Sequence, residues 1–390
     1  MYTLAVIIGL VVLVISIRIL KNLYIPFLLA ITVMGIILLI PVNVYVDSLV
    51  NEITEWDFWK TIITISSIYL LSGTMNKSGD SKIFVSAMKK IFPSSRVASA
   101  LIPAFMGLLP MPGGAMFSAP MVKGISEGGN VDSEDALVMN YWFRHSMEFF
   151  WPLYPAMIII SSMADIPIPS FILVMLPVGI TAIVVGYLKF VKERPSLKFD
   201  KSAFIDVLKC AWPIIAVIVF VIIGVEGWLV ALIASLAYLF SKKKPFEILL
   251  SSIKWKTYII IFAIFYFKYF IDTTGIANGM ATELINMSIS PLLIIILLPY
   301  LMGFMTGLTV AGVGLSFSLI LGFSGNFSII SITLLGYMFA VSGVLTSPMH
   351  LCVVLTTEYF KSTYIKLLKK ISVPLLLAIA AGLLVFLFIK

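Results

Sequence analysis

Four side chains able to carry charge or hold a polar group, Asn140, Arg144, His145 and Glu148, fall inside one long apolar run. If that run is helical, Arg144 and Glu148 lie four residues apart on one face, where opposite charges can meet. Ionisable groups are costly in hydrocarbon and tend to mark solute paths or proton relays. Arg144 would then attract an anionic solute or exchange partners during a conformational cycle, Glu148 would carry a proton, and Asn140 belongs to the same relay. The plainer alternative is a static ion pair near the helix end, with His145 packed off that face. His350, beside Pro348 in a second apolar run, is the better histidine for binding or protonation. No cluster of metal ligands and no nucleophile–base pair is legible, so neither an enzyme nor a metal site is expected; a monovalent cation is the one ion considered.

Backbone chemistry supplies the remaining candidates. Pro112, Gly113 and Gly114, followed by Ser118, interrupt the apolar segment 97–122. Proline removes amide donors and glycine admits positive φ, so one helix must end and another begin there. The new helix would aim unpaired N–H groups at the membrane centre, which suits an anion. Segment 289–322 is interrupted in the same way around Gly307, with the hydroxyls of Thr306 and Thr309 and the backbone at Gly312 available to a cation or polar solute. Two further breaks are predicted in mid-run, at Trp151-Pro152-Leu153-Tyr154-Pro155 and at Thr346-Ser347-Pro348-Met349-His350. The predicted solute site lies between these four breaks, lined by Pro112, Gly113, Gly114, Ser118, Trp151, Tyr154, Thr306, Thr309, Gly312, Ser347 and His350. Helix packing by small residues would explain the same glycines without a solute.

The elements that must position these groups follow from composition. Of 390 residues 61% are hydrophobic and 12% charged, with a mean hydropathy of +1.10. Soluble domains are about 45–50% apolar and about 25% charged, so this is an all-α polytopic membrane protein. The net charge of +8 is spread thinly and no basic tract carries interleaved aromatics, which excludes nucleic-acid binding. Cys210 and Cys352 are far apart and read as free thiols packed among helices.

About 20 apolar residues make one crossing. Runs at 2–17, 24–41, 58–75, 136–163, 167–190, 210–224, 227–240, 257–272, 328–357 and 371–389 give ten crossings, plus re-entrant hairpins at 97–122 and 289–322. The first run is followed, not preceded, by Arg18 and Lys21, so it reads as a retained span rather than a signal peptide. With both termini outside, nearly all lysines and arginines of the loops fall on the cytoplasmic side, as basic residues do. Residues 80–92 read as an amphipathic helix in the cytoplasmic interface, with Ile83, Phe84, Ala87, Met88 and Ile91 on its apolar face. Lys268 is expected to snorkel.

The chain also repeats. An offset of 196 (255 − 59) without gaps aligns Trp59-Lys60-Thr61 with Trp255-Lys256-Thr257, and gives 19 identities over the 94 positions from 59 to 152. Chance in so biased a composition would give roughly eight per cent, so the duplication is real. Halves 1–195 and 196–390 each hold five crossings, so the second is inverted relative to the first. Inverted repeats with broken helices are the architecture of secondary transporters.

The stretches Leu108-Leu109-Pro110-Met111-Pro112-Gly113-Gly114-Ala115, Asn140-Tyr141-Trp142-Phe143-Arg144-His145 and Pro152-Leu153-Tyr154-Pro155 resemble domain-of-unknown-function family 401. The similarity covers essentially the whole chain, with its sharp motifs at 101–155. That family looks like a branch of the ion transporter superfamily, alongside gluconate, dicarboxylate, citrate and lactate permeases. The resemblance implies an elevator-like mechanism and a homodimer in the cell membrane. The paired Ser-Asn-Thr signature of the sodium–dicarboxylate branch is missing from the hairpin tips, so sodium coupling is not carried over. The expected function is ion-coupled permeation of a small organic anion, driven by H+ or Na+. The alternatives are a cation/proton antiporter centred on Glu148 and, more remotely, an intramembrane enzyme.

Overall fold

The structure, a computed structural model, describes residues 1–20, 22, 24–108, 115–127, 131–193, 198–243 and 245–390, and among these every regular element is helical. The first half opens with α1 (Tyr2–Leu20), α2 (Tyr24–Ile37), α3 (Val42–Thr54), α4 (Trp56–Lys77) and α5 (Asp80–Ile91). The helix pair α6 (Ser95–Gly107) and α7 (Ala115–Glu127) follows, then α8 (Ser133–Ser146), α9 (Pro155–Ala164) and α10 (Ile168–Gly186). The second half starts with α11 (Lys201–Ile222), α12 (Gly227–Phe240), α13 (Pro245–Ser252), α14 (Trp255–Thr274) and α15 (Ile276–Asn286). It closes with α16 (Pro291–Thr306), α17 (Thr309–Ile320), α18 (Ile329–Leu345), α19 (Leu351–Tyr359) and α20 (Tyr364–Ile389).

Five of these are long and apolar enough to cross a membrane: α1, α10 with its π-helical extension to Val191, α11, α14 and α20. Shorter apolar helices accompany them, including α2, α12 and α16. The set is compatible with a multi-pass membrane protein.

Local chemistry explains where helices start and stop. Asp132 and Ser328 cap α8 and α18 by accepting from the amides of Asp135 and Ser331 at 2.7 and 3.3 Å. Pro155 and Pro291 open α9 and α16, where a missing amide costs nothing. Three of the four predicted breaks lie in described residues, and all three are present. Gly307 takes φ +67° and Leu308 is extended, which ends α16 and starts α17. The runs 136–163 and 328–357 are each split in two, at residues 150–154 and 346–350. The fourth break, with Pro112, Gly113 and Gly114, lies outside the described residues.

The same contacts recur at the offset seen in the sequence. A methyl group on Gly107 would sit 2.3 Å from the Arg144 carbonyl oxygen, and one on Gly303 would sit 2.3 Å from that of Ala340. Trp151 Nε1 donates to the Leu108 carbonyl at 3.0 Å, and Ser347 Oγ donates to the Phe304 carbonyl. Asp165 and Lys361, which end α9 and its counterpart α19, are left-handed at φ +52° and +51°. The halves interleave: α14 packs on α2 and α3, α4 packs on α12 and α13, and α10 lies along α20.

The segment expected to be helical at 80–92 forms α5, but its covered face differs from the one expected. Phe84, Val85 and Ala87 are buried while Ile83 is exposed, because α5 packs against α11 as well as α6. Lys268 pairs with Asp272 at 2.9 Å, one helical turn on.

Two predictions follow from this packing. Gly303→Ala must push α16 off α18 and should destabilise by about 1–3 kcal/mol, whereas Gly325→Ala, with open space around it, should stay within about 0.5 kcal/mol; thermal unfolding in detergent compares them. Glu52 is fully buried on α3, its carboxyl oxygens lack a hydrogen-bond partner among the described residues, and burial pushes its pKa from 4.5 up to about 9. The folded state therefore holds this proton while the unfolded state releases it, so stability falls as pH rises between these values. Glu52→Gln should melt close to wild type at pH 4 and progressively higher than wild type towards pH 9.

Candidate functional site

The two interrupted helices meet near their breaks, where Tyr141 and Tyr337 bond across. α8 runs from its Asp132 cap to Ser146, passes through a 3-10 turn at Met147–Phe149, and gives way to the break before Pro155. Asn140, Arg144, His145 and Glu148 are all buried there. Arg144 donates to the Met106 carbonyl at 2.9 Å, and Trp151 holds the next free carbonyl, that of Leu108. A guanidinium at the C-terminal end of α6 meets the negative end of that helix.

Because the helix tightens after Ser146, Glu148 is not in the helical i,i+4 register with Arg144 that its spacing predicts. Its carboxylate instead accepts a hydrogen bond from the hydroxyl of Thr309, the first residue of α17. A carboxylate at this position faces the positive end of α17 and its free amides. The backbone carbonyl of Glu148 accepts from Tyr337 of α18 at 2.7 Å. Reciprocally, Tyr141 of α8 donates to the carbonyl of Leu345, at the end of α18, at 2.9 Å. Each half thus satisfies the frayed helix of the other.

The two histidines meet beside this crossing. His145 Nδ1 lies 2.7 Å from the Tyr141 carbonyl oxygen and His350 Nδ1 lies 2.8 Å from that of Gly307. Their Nε2 atoms are 3.0 Å apart. Cys352 contributes a sulfur such that all three ligand-type atoms fall within 4.8 Å of one another, and all three residues are buried. Sequence spacing separated these residues widely, so His145 read as core packing and Cys352 as an isolated thiol. The His-x-Cys spacing at 350–352 was the one local sign.

The other candidates divide. Thr309, Trp151 and Tyr154 line the crossing, the Tyr154 hydroxyl standing 3.5 Å from the Arg144 carbonyl. Thr306 is used by its own helix end, donating to the Met302 carbonyl at 2.7 Å and facing the Leu308 amide. Ser347 closes the second break by accepting from the Met349 amide at 3.1 Å while donating to Phe304. Gly312 serves a close crossing, since a methyl there would sit 2.9 Å from Gly303 Cα. Ser118 is buried in α7. His350 is engaged through both ring nitrogens. Around the second hairpin turn, Leu308, Pro348, Met349 and Leu351 are exposed together.

Elsewhere a cavity of about 370 Å³ opens where the start of α4, the end of α9 and the turn between α11 and α12 meet. It is lined by Asp57, Asp165 and Glu226, with Lys60 as its one base. Lys60 is bound to Asp57 at 3.1 Å.

Residues 3–389 match the profile of a family described as a protein of unknown function, DUF401. The chain belongs to that family. Membership in DUF401 extends over nearly the whole chain, so both breaks and both hairpin segments fall within the shared region. No curated protein matches the sequence.

The reciprocal tyrosine bonds can be tested directly. Tyr337→Phe leaves the buried Glu148 carbonyl without this donor and should cost about 1–3 kcal/mol in denaturant unfolding, and Tyr141→Phe should cost a similar amount at Leu345.

Proposed function

We propose that this DUF401 protein is a proton-coupled secondary transporter of a small organic anion, a carboxylate in the first instance. The observation that carries the reading is the placement of Glu148 against Thr309 at the N-terminal end of α17. That helix end is a seat for an anion, and here the protein's own carboxylate fills it. Protonation of Glu148 neutralises it and frees Thr309 and the neighbouring amides for a solute carboxylate. Loss of the proton returns Glu148 and expels the solute. Proton and anion therefore load together, which is the requirement for symport.

The recurrence of contacts between positions 196 apart supports reading the halves as one fold used twice in inverted orientation, with α6–α7 and α16–α17 as re-entrant hairpins. Ten crossings, both termini outside the cell membrane and basic loops in the cytoplasm complete that topology. The helices α6–α10 and α16–α20 would then move as one unit against the outer helices, as in an elevator, in a homodimer with lipid around it. On this reading the protein is a branch of the ion transporter superfamily rather than an enzyme.

A second reading, cation/proton exchange at Glu148, draws on a different observation. The cavity bounded by Asp57, Asp165 and Glu226 carries an excess of negative charge, which favours cations over anions at that mouth. Proteoliposomes separate the two. For anion symport, labelled carboxylate should exchange by counterflow in wild type and in Glu148→Gln, whereas accumulation driven by a pH gradient should be lost in the variant. If no carboxylate from a panel exchanges, and cations instead dissipate a pH gradient through Glu148, the exchanger reading replaces it.

A further inference from the structure

We propose that His145, His350 and Cys352 form a buried binding site for a borderline-soft transition metal ion, with Zn2+ as its probe. The site is independent of the transport reading, because it follows from the hydrogen-bonding valence of three side chains.

Both Nδ1 atoms face backbone carbonyl oxygens, at 2.7 Å for His145 and 2.8 Å for His350. A carbonyl only accepts, so each Nδ1 must carry the N–H. Each Nε2 of a neutral ring then presents a lone pair, and the two lone pairs point at one another across 3.0 Å. Cys352 can offer a single S–H proton to two such acceptors, which leaves one nitrogen facing repulsion. A cation between them removes the conflict and is matched by a thiolate.

The donor set names the kind of cation. Two imidazole nitrogens and one thiolate suit zinc or its near neighbours, whereas sodium, magnesium and calcium prefer oxygen. Imidazoles bound at about 2.0–2.1 Å on a tetrahedral ion place their nitrogens about 3.3 Å apart, so the observed pair needs to open by only a few tenths of an ångström. The carbonyls of Tyr141 and Gly307 already hold the rings as outer partners of metal-bound histidines do. Among the described residues no other group of this kind is present. Three protein ligands leave a fourth tetrahedral position. The ion would join α8, the turn at Gly307, the break before α19 and α19 itself.

Tag-free full-length protein in detergent tests the site. Wild type should retain near-equimolar metal after purification or take up Zn2+ once stripped with a chelator, with a rise in melting temperature that Mg2+ does not give. With Co2+ in place of Zn2+, wild type should show tetrahedral d–d bands together with a thiolate-to-cobalt charge-transfer band. Cys352→Ser should lose the charge-transfer band and weaken Zn2+ binding by at least about 100-fold, beyond the range that outer-partner changes produce. Folded, monodisperse wild type that takes up neither Zn2+ nor Co2+ overturns the proposal and leaves a proton shared between the two rings. A cobalt spectrum unchanged in Cys352→Ser overturns it as well.

Discussion

A broken helix frees backbone groups that a buried, apolar surrounding gives nothing to bond with, and that constraint organises this molecule. Among the described residues the interruptions free carbonyls and amides, each costing several kcal/mol if buried bare, so they find partners inside the protein. The partners are specific side chains. Arg144 and Trp151 take the end of α6, Ser347 takes the end of α16, and Tyr141 and Tyr337 cross over to the frayed ends of α18 and α8. What looks like a collection of polar residues in an apolar chain is largely the bonding that makes broken helices tolerable.

The same bonding decides which polar groups remain for chemistry. Thr306 and Ser347 are absorbed by the backbone next to them, and Gly312 by a helix crossing. Glu148 and the histidine pair are different. Glu148 meets the end of a helix from the other half, His350 meets the Gly307 carbonyl of a distant turn, and His145 meets the Tyr141 carbonyl of its own helix. The carboxyl group of Glu148 bonds to the first residue of α17, and the imidazoles of His145 and His350 bring their Nε2 atoms to 3.0 Å. Both contacts sit where residues of the two halves of the chain touch.

Much of this was legible in the sequence. Proline and glycine located the breaks at 152–155, at 307 and at 348, since both residues act through local backbone chemistry. Positions 196 apart in the sequence share local roles: Gly107 and Gly303 stand at crossings too tight for a methyl group, and Pro103 and Pro299 lie inside α6 and α16. Pairing between distant segments was not legible. Arg144 and Glu148 read as helical neighbours because no local rule announces that the helix tightens into a 3-10 turn after Ser146. Cys352 and His145 read as packing because nothing near either one signals the other. The apolar face read for α5, assigned to the cytoplasmic interface, matches the buried side only in part, since Ile83 is exposed and Val85 is covered, because periodicity says that a stripe is covered and not by what.

The interleaving of the outer helices bears on how the chain is made. α2 and α3 leave the ribosome long before α14, the helix they pack on, has been translated. The surfaces of α2 and α3 that α14 covers therefore stay open until the second half of the chain has been made.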